Sequence, residues 1–159
     1  MDVVITPSTP RNDDEATSLF TARESSRAKE HAATSQHKYV CDHIHFMNYQ
    51  SKQVLLIDLT NCAAAEVERI LRAVPEFVST HSRSSVLILS DFTGASLDLE
   101  AIRIMKETAV FNKPYVKKSA WTGTENFPVA FAESVRSFSR RDFPVFQTRK
   151  EALAWLVMN

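Results

Sequence analysis

The sequence SVLILSDFTG at residues 85–94 decides the fold of this 159-residue chain. Four consecutive apolar residues that end in Ser-Asp and a glycine-containing turn are typical of a strand buried on both faces of a parallel sheet. A second apolar run, VLLIDL at residues 54–59, also contains an Asp near its end. The two runs therefore predict inner strands that end in polar turns.

Apolar residues spaced by three and four positions predict four helices that alternate with strands. Their expected inward residues are, in chain order, Val67, Ile70, Leu71, Val74 and Val78; Leu99, Ile102, Met105 and Ala109; Phe131, Val135 and Phe138; and Ala152, Leu153, Trp155 and Leu156. Pro75 is expected to kink the first of these helices or to begin a second short one. A capping box from Thr148 to Glu151 marks the start of the last helix.

Three less regular segments complete the predicted sheet. Residues 39–49 are rich in aromatic and β-branched residues and alternate in polarity, which predicts a half-exposed strand that forms a hairpin with residues 54–59. Residues 115–121 predict a third inner strand, and residues 143–146 predict an edge strand because Pro144 has no amide hydrogen for a central ladder. The predicted fold class is α/β, with helices packed on a mixed, mostly parallel five-stranded sheet in the order β-β-α-β-α-β-α-β-α.

Residues 1–36 differ in composition from the rest of the chain. They contain ten Ser or Thr residues and only short apolar patches. Such a segment buries too little apolar surface to offset the entropy lost on ordering. We therefore expect a mostly disordered tail at residues 1–36, partly helical between Asp14 and Ala33, followed by a single domain at residues 37–159.

The composition argues against several functional classes. Lys and Arg together number 19, as do Asp and Glu, so the general attraction to nucleic acid is missing and no nucleic-acid partner is expected. Cys41 and Cys62 are too few for a disulfide framework, and no apolar run is long enough to span a bilayer, so we expect a cytoplasmic protein. The two glycines, Gly94 and Gly123, provide no phosphate-binding loop, and no cofactor is expected.

Polar turns follow the predicted inner strands at the edge where open α/β sheets bind their ligands. The candidate ligand- or partner-binding residues in these turns and strand ends are Asp91, Phe92, Thr93, Gly94, Ser96, Ser119, Trp121, Thr122 and Gly123. Asp58 and Asp91 are carboxylates that could in principle act as an acid and a base. We favour a structural role, in which each Asp accepts hydrogen bonds from amides of the following turn, and no catalytic residue is predicted.

Two further patterns have both a functional and a structural interpretation. Cys41, His43 and His45 would share one face of a strand and carry groups that bind metals, but the polar side of an edge strand explains them better, and no metal site is predicted. Residues 108–159 carry eight basic and four acidic groups, an excess of four positive charges. This excess fits a phosphate-bearing lipid surface or, as we favour, an ordinary solvated face.

Several ordered motifs resemble the SpoIIAA-like branch of the STAS superfamily, named after sulfate transporters and anti-sigma-factor antagonists. The motifs are VLLIDLT at 54–60, SVLILSDFTG at 85–94, NKPYVK at 112–117, SAWTG at 119–123 and FQTRKEALAWL at 146–156. The resemblance implies a small α/β domain with a mixed sheet and about four helices. It also implies a non-enzymatic role, because STAS domains mostly bind partner proteins or small ligands.

The sequence departs from the sporulation-type antagonists at the helix that follows residues 85–94. Those proteins carry Asp-Ser-Ser-Gly at this helix start, where a serine is phosphorylated, whereas this chain has SLDLE at residues 96–100. Glu100 already supplies the negative charge that the first helical turn favours. The usual phosphorylation switch is therefore not expected, and Ser96 and Thr93 are only weak substitutes for the phosphorylated serine.

The expected function is that of a non-enzymatic regulatory or binding module. Its expected partner is a regulatory protein that contacts the turn at residues 91–100. The alternative is a carrier or sensor of a small hydrophobic or lipid ligand, because the SpoIIAA-like branch is similar in fold to the lipid-carrying SEC14 (CRAL-TRIO) domains. The sequence leaves open whether the protein forms a homodimer.

Overall fold

The computed structural model describes the backbone of residues 14–159 and the side chains of residues 25–159. Its elements are α1 (Asp14–His43), β1 (Ile44–Tyr49), β2 (Lys52–Asp58), α2 (Ala64–Val78), β3 (Val86–Asp91), α3 (Leu99–Asn112), β4 (Val116–Thr122), α4 (Val129–Ser139), β5 (Val145–Phe146) and α5 (Arg149–Val157). The predicted order of elements from β1 onward is confirmed. Among the described residues, none of the helices combines the length and apolar character that crossing a membrane requires.

The five strands lie in the order β1-β2-β3-β4-β5. β1 is antiparallel to β2, and the other neighbouring pairs are parallel, which confirms the predicted mixed sheet. β5 lies at the edge, as Pro144 predicts, and pairs only with Trp121 and Thr122 of β4. The register of β2 and β3 aligns Asp58 with Asp91, so two carboxylates end adjacent strands.

The sheet separates two layers of apolar packing. Leu55 and Ile57 of β2 belong to the core formed with α2, α3 and α4. Val54 and Leu56 alternate with them and belong to the smaller core formed with α5. Period-two alternation on a strand buried on both faces accounts for the continuous apolar run in the sequence.

Helix α2 follows its predicted inward face, because all five of the residues expected there are buried. Pro75 lies inside this helix without ending it, so the expected second short helix is wrong. A proline in a helix interior costs about 3 kcal/mol. Val74 and Val78, on either side of Pro75, are both buried in the core, and this burial offsets the cost.

The inward faces predicted for α3 and α4 are wrong at one residue each. Leu99 is 86% exposed and Phe138 is 58% exposed. Leu99 is the first residue of α3, where the helix has only begun to pack on the sheet. On α4 the buried residues are Phe131, Val135 and Ser139, so the inward stripe continues one position beyond Phe138.

Residues 39–43 form the last part of α1, so the strand predicted for them is wrong. Tyr39 and His43 are four positions apart, and their rings lie 4.7 Å from each other on one side of the helix. Tyr39 Oη donates a hydrogen bond to Glu66, and His43 Nδ1 lies 2.7 Å from the Asp58 carbonyl oxygen. These tertiary contacts outweigh the strand propensity of the aromatic residues. Cys41 and His43 are therefore helical and do not share a strand face with His45.

The chain divides into two compact units, Met1–Lys38 and Tyr39–Asn159. The predicted tail and domain, at residues 1–36 and 37–159, have a nearly identical boundary. Residues 14–36 belong to α1, which extends beyond the helical segment expected there. The disorder predicted for residues 1–13 lies outside the described residues, and the assignment of the tail stays a prediction.

The exposure of the two α4 phenylalanines predicts opposite effects of truncation. Phe131→Ala removes a buried ring and is expected to lower the free energy of unfolding by about 3–5 kcal/mol. Phe138→Ala removes an exposed ring and should change it by less than about 1 kcal/mol. Urea unfolding followed by circular dichroism measures both, and equal losses would contradict the orientation of α4.

Candidate functional site

Asp58 and Asp91 fix the turns that follow their strands. The Thr60 amide donates to Asp58 Oδ1 at 3.0 Å, and the Thr93 amide donates to Asp91 Oδ1 at the same distance. Thr93 Oγ1 adds a second hydrogen bond to Asp91 Oδ1, at 2.6 Å. The hydrogen bonds predicted from the amides of the following turns to the two carboxylates are therefore confirmed.

Arg149 joins the two carboxylates. Its Nε donates to Asp91 Oδ2 at 2.5 Å, and one terminal nitrogen lies 3.0 Å from Asp58 Oδ1. Arg149 is the first residue of α5, and its neighbour Thr148 caps that helix by accepting a hydrogen bond from the Glu151 amide. We call these three residues the Asp58–Arg149–Asp91 cluster.

The contact of Arg149 with the two carboxylates is not predicted from the sequence. There Arg149 contributes only to the excess of positive charge at residues 108–159. It lies 58 positions from Asp91, so no local pattern connects them. One signal was present, because a cation in the first turn of a helix opposes the helix dipole. A compensating anion makes such a placement favourable, and here two carboxylates supply it.

The cluster keeps both carboxylates ionised. Burial would raise the pKa of Asp91, but hydrogen bonds from Thr93 and Arg149 outweigh burial and lower the pKa below its ordinary value. The pKa of Asp58 is lowered in the same way: burial opposes the shift, and Thr60 and Arg149 produce it. Burial also opposes the raised pKa of Arg149, which the two carboxylates produce. Carboxylates with lowered pKa values are weak bases and poor proton donors at neutral pH.

The turns after β2, β3 and β4 are bound to one another by backbone hydrogen bonds. The Asn61 amide donates to the Thr93 carbonyl at 2.8 Å, and the Phe92 amide donates to the Thr122 carbonyl at 2.9 Å. Gly123 has a φ of +73°, and a Cβ there would lie 2.3 Å from the Thr93 backbone nitrogen. A side chain at Gly123 would therefore force the turns apart.

The structure separates the predicted binding residues into two groups. Thr93, Gly94 and Ser96 are exposed on the β3–α3 turn. The other residues are buried, namely Asp91, Phe92, Ser119, Trp121, Thr122 and Gly123. Phe92 packs edge-on against Trp121, with 5.4 Å between the ring centroids. Phe92 and Trp121 therefore belong to the core and do not form part of the exposed turn.

A cavity of about 50 Å³ lies between the sheet and helices α3 and α4, and Leu71 and Val74 of α2 also line it. Most of its lining is apolar, and five polar residues also line it, namely Ser90, Thr108, Asn112, Ser119 and Arg141. Asn112 is only 5% exposed, and its Oδ1 has no hydrogen-bond partner. Of the nine predicted binding residues, Phe92, Ser119 and Trp121 line this cavity. Ser119 is the one of these three that carries a hydroxyl.

Arg141 is the charged group of the cavity. It donates to the Ala109 carbonyl at 3.0 Å and to Ser119 Oγ at 2.5 Å, and its Cζ lies over the Phe143 ring, 4.8 Å from the centroid. Its burial lowers the pKa of the guanidinium to about 10. Among the described residues, no carboxylate lies within ion-pair distance of Arg141.

Other basic residues of the C-terminal third bind backbone carbonyls. Lys113 Nζ donates to the Arg140 carbonyl, Lys118 Nζ to the Met158 carbonyl, and Arg136 to the Phe143 carbonyl. Lys113 and Arg136 are nevertheless exposed, so these contacts are compatible with the favoured interpretation of a solvated face, which stays a prediction. Among the side chains that the structure describes, no group of three His, Cys, Asp or Glu residues could hold a metal ion.

A comparison with solved structures finds the same fold in an uncharacterized DUF3478-family protein from Shewanella loihica PV-4, described as having a SpoIIAA-like fold. The two structures align with a TM-score of 0.50 over 71% of this chain and 91% of that chain, at 17% sequence identity. This chain has a SpoIIAA-like fold. The resemblance inferred from the motifs is confirmed at the level of the fold. No protein-family model matches the sequence, and no curated protein matches it.

Within this SpoIIAA-like fold, the start of α3 already has its polar groups paired. Asp98 caps the helix by accepting a hydrogen bond from the Ala101 amide at 2.7 Å, and Glu100 forms an ion pair with Arg103. The Thr93 hydroxyl is engaged by Asp91. Ser96 is exposed, but a phosphate there would lie close in sequence to Asp98 and Glu100, and like charges disfavour it. Phosphorylation at Ser96 or Thr93 stays a prediction.

Removing the Arg149 charge is expected to destabilise the domain. Arg149→Met leaves two adjacent carboxylates uncompensated, and we expect a loss of about 1–3 kcal/mol at pH 7, between the values for exposed and buried pairs. The pKa values of Asp58 and Asp91 are lower in the folded than in the unfolded protein. The ionised carboxylates therefore add to the free energy of unfolding above the unfolded pKa, and this addition disappears as the pH falls through the folded pKa. The loss should therefore shrink at pH 3.

Lys150→Met provides the matched control for this measurement. Lys150 is exposed and lies beside Arg149 in the first turn of α5, so its replacement removes one charge without touching the cluster. Urea unfolding at both pH values compares the two variants with the unmodified protein. Equal stability of the two variants at pH 7 would show that the cluster contributes nothing.

Proposed function

We propose that this chain is a non-enzymatic, STAS-like binding module that recognises a regulatory protein through the β3–α3 turn. The proposed surface consists of Thr93, Gly94, Ser96 and Leu99, and we call it the turn surface. The observation that carries the proposal is Leu99, an apolar side chain that is 86% exposed at the start of α3. An apolar anchor with polar neighbours is the common arrangement of a protein interface.

The rigidity of the turn supports this proposal. Asp91 binds the amide and the hydroxyl of Thr93, and the Ser96 amide donates to the Cys62 carbonyl at 2.9 Å. A surface that is ordered before binding loses less conformational entropy in the complex. The turn surface therefore presents Leu99 in a fixed position, which favours specific recognition.

The electrostatics of the carboxyl edge support a non-enzymatic role. Asp58 and Asp91 are the carboxylates at this edge of the sheet, and Arg149 contacts both of them. General acid or base catalysis favours a group whose pKa lies near the working pH, and the pKa values of these groups are shifted away from it. The arrangement stabilises the turns and is poorly suited to proton transfer.

A second candidate function is the binding of a small ligand in the cavity beneath α3 and α4. The observation that favours it is a polar group without a partner, Asn112 Oδ1, in a cavity whose lining is otherwise mostly apolar. Ligand pockets typically combine apolar walls with a few polar groups. Such a ligand would act separately from the turn surface, because the cavity is lined by different residues.

The turn surface predicts that Leu99→Glu weakens partner binding. Leu99 is almost fully exposed, and an acidic residue is favoured in the first helical turn, so the variant should fold normally. Partners are first cross-linked in the cells that make the protein, and a captured partner is then purified and its affinity measured directly. We expect at least tenfold weaker binding by Leu99→Glu than by the unmodified protein.

Val129→Glu is the matched control, because Val129 is also an exposed apolar residue at the first position of a helix. This variant should bind the partner with unchanged affinity. Unchanged affinity of Leu99→Glu would contradict the proposal, and so would the absence of any protein that the purified chain binds directly.

A further inference from the structure

We propose that the cavity beneath α3 and α4 binds a short-chain carboxylate, whose charged group is held by Arg141 and Ser119 and whose apolar tail enters the cavity. The inference rests on the second candidate function and specifies the chemistry of its ligand. Three features of the molecule support this proposal: the charge of Arg141, the polar groups that line the cavity, and a surface groove that leads to Arg141.

Arg141 is a partly buried cation, and no carboxylate of the described residues lies within ion-pair distance of it. Its guanidinium donates hydrogen bonds to the Ala109 carbonyl and to the Ser119 hydroxyl, and both acceptors are uncharged. Burial of a cation without an opposite charge costs free energy, and the lowered pKa of Arg141 reflects that cost. A carboxylate bound at the guanidinium would offset it and accept two parallel hydrogen bonds.

Asn112 supplies a second polar group whose hydrogen-bonding capacity is not used. Its Oδ1 is buried without a partner, and the residue lines the same cavity as Arg141. The oxygen and nitrogen of an Asn side chain exchange places on a 180° rotation, which would present Nδ2 to a carboxylate. The hydroxyl groups of Ser90 and Ser119 are further donors along the cavity lining.

A basic groove on the surface leads to Arg141. The groove has a volume of about 570 Å³, and it shares Ser119 and Arg141 with the cavity. Its basic lining residues are Lys113, Lys117, Lys118, Arg136 and Arg141, and Asp142 is the acidic residue among those that line it. An excess of positive charge along a groove raises the local concentration of anions. The groove therefore gives a carboxylate a route to the cavity.

The volume of the cavity limits the size of the ligand. A cavity of about 50 Å³ holds a tail of roughly two or three carbon atoms, since a cavity of about 150 Å³ binds benzene, which has six. Ile88, Met105 and Trp121 are among the apolar residues that would contact this tail. The expected ligands are thus of the size of propionate or butyrate, and a long-chain lipid would require α3 or α4 to move.

The test uses butyrate as the probe and 1-butanol as a neutral compound of the same chain length. Sodium butyrate is titrated into the full chain at constant ionic strength, with chloride as the balancing anion, and binding is followed by amide and indole NMR signals. We expect saturable shifts at Ser119 and Trp121 with butyrate, and at least tenfold weaker binding of 1-butanol.

Two substitutions test the role of Arg141. Arg141→Met should weaken butyrate binding at least tenfold, whereas Arg140→Met, at the neighbouring exposed arginine, should leave it unchanged. If Arg141→Met does not fold, Ser119→Ala replaces it, and we expect at least threefold weaker binding from the loss of one hydrogen bond.

Different failures of this test have different meanings. Equal binding of butyrate and 1-butanol would overturn the carboxylate assignment and leave the small-ligand function in place. Binding of neither compound would overturn both. Butyrate affinity that is unchanged by Arg141→Met, or by Ser119→Ala where that variant is used, would place the anion elsewhere and overturn the site.

Discussion

The contact of Arg149 with Asp58 and Asp91 is the interaction on which the carboxyl edge of this sheet depends. The strand register places two carboxylates side by side at the ends of β2 and β3, where their charges repel. Arg149 neutralises this repulsion and at the same time fixes the start of α5 against the sheet. The cluster thus couples the last helix of the chain to two inner strands and allows both turns to keep their hydrogen-bonded form.

Two separate surfaces follow from this arrangement. The turn after β3 is held in place by Asp91 and presents Leu99 to solvent, which suits recognition of a protein. Phe92 and Trp121 line a cavity between the sheet and the helices, and Arg141 also belongs to its lining. The fold therefore has an exposed turn next to an apolar side chain and, separately, a cavity lined by a partly buried cation, and the two proposals concern different residues.

Much of the fold could be predicted because its signals are local. The apolar run at residues 54–59 and the helical spacing from Val67 to Val78 each fix an element without reference to the rest of the chain. The errors occur where tertiary contacts decide, as at residues 39–43, where Tyr39 reaches Glu66 and the chain stays helical. The contacts of Arg149 with its two carboxylates, and the cavity beside Arg141, join side chains that are distant in sequence. No local sequence pattern therefore identifies them.

A carboxyl titration by NMR would decide whether Arg149 controls the carboxyl edge. In the unmodified protein, the pKa of Asp91 is expected below its ordinary value of 3.8, because hydrogen bonds from Thr93 and Arg149 outweigh the effect of burial. In Arg149→Met the pKa of Asp91 should rise, since one of its two partners and the neutralising charge are both lost. An ordinary or raised pKa of Asp91 in the unmodified protein, or one that Arg149→Met leaves unchanged, would contradict this account.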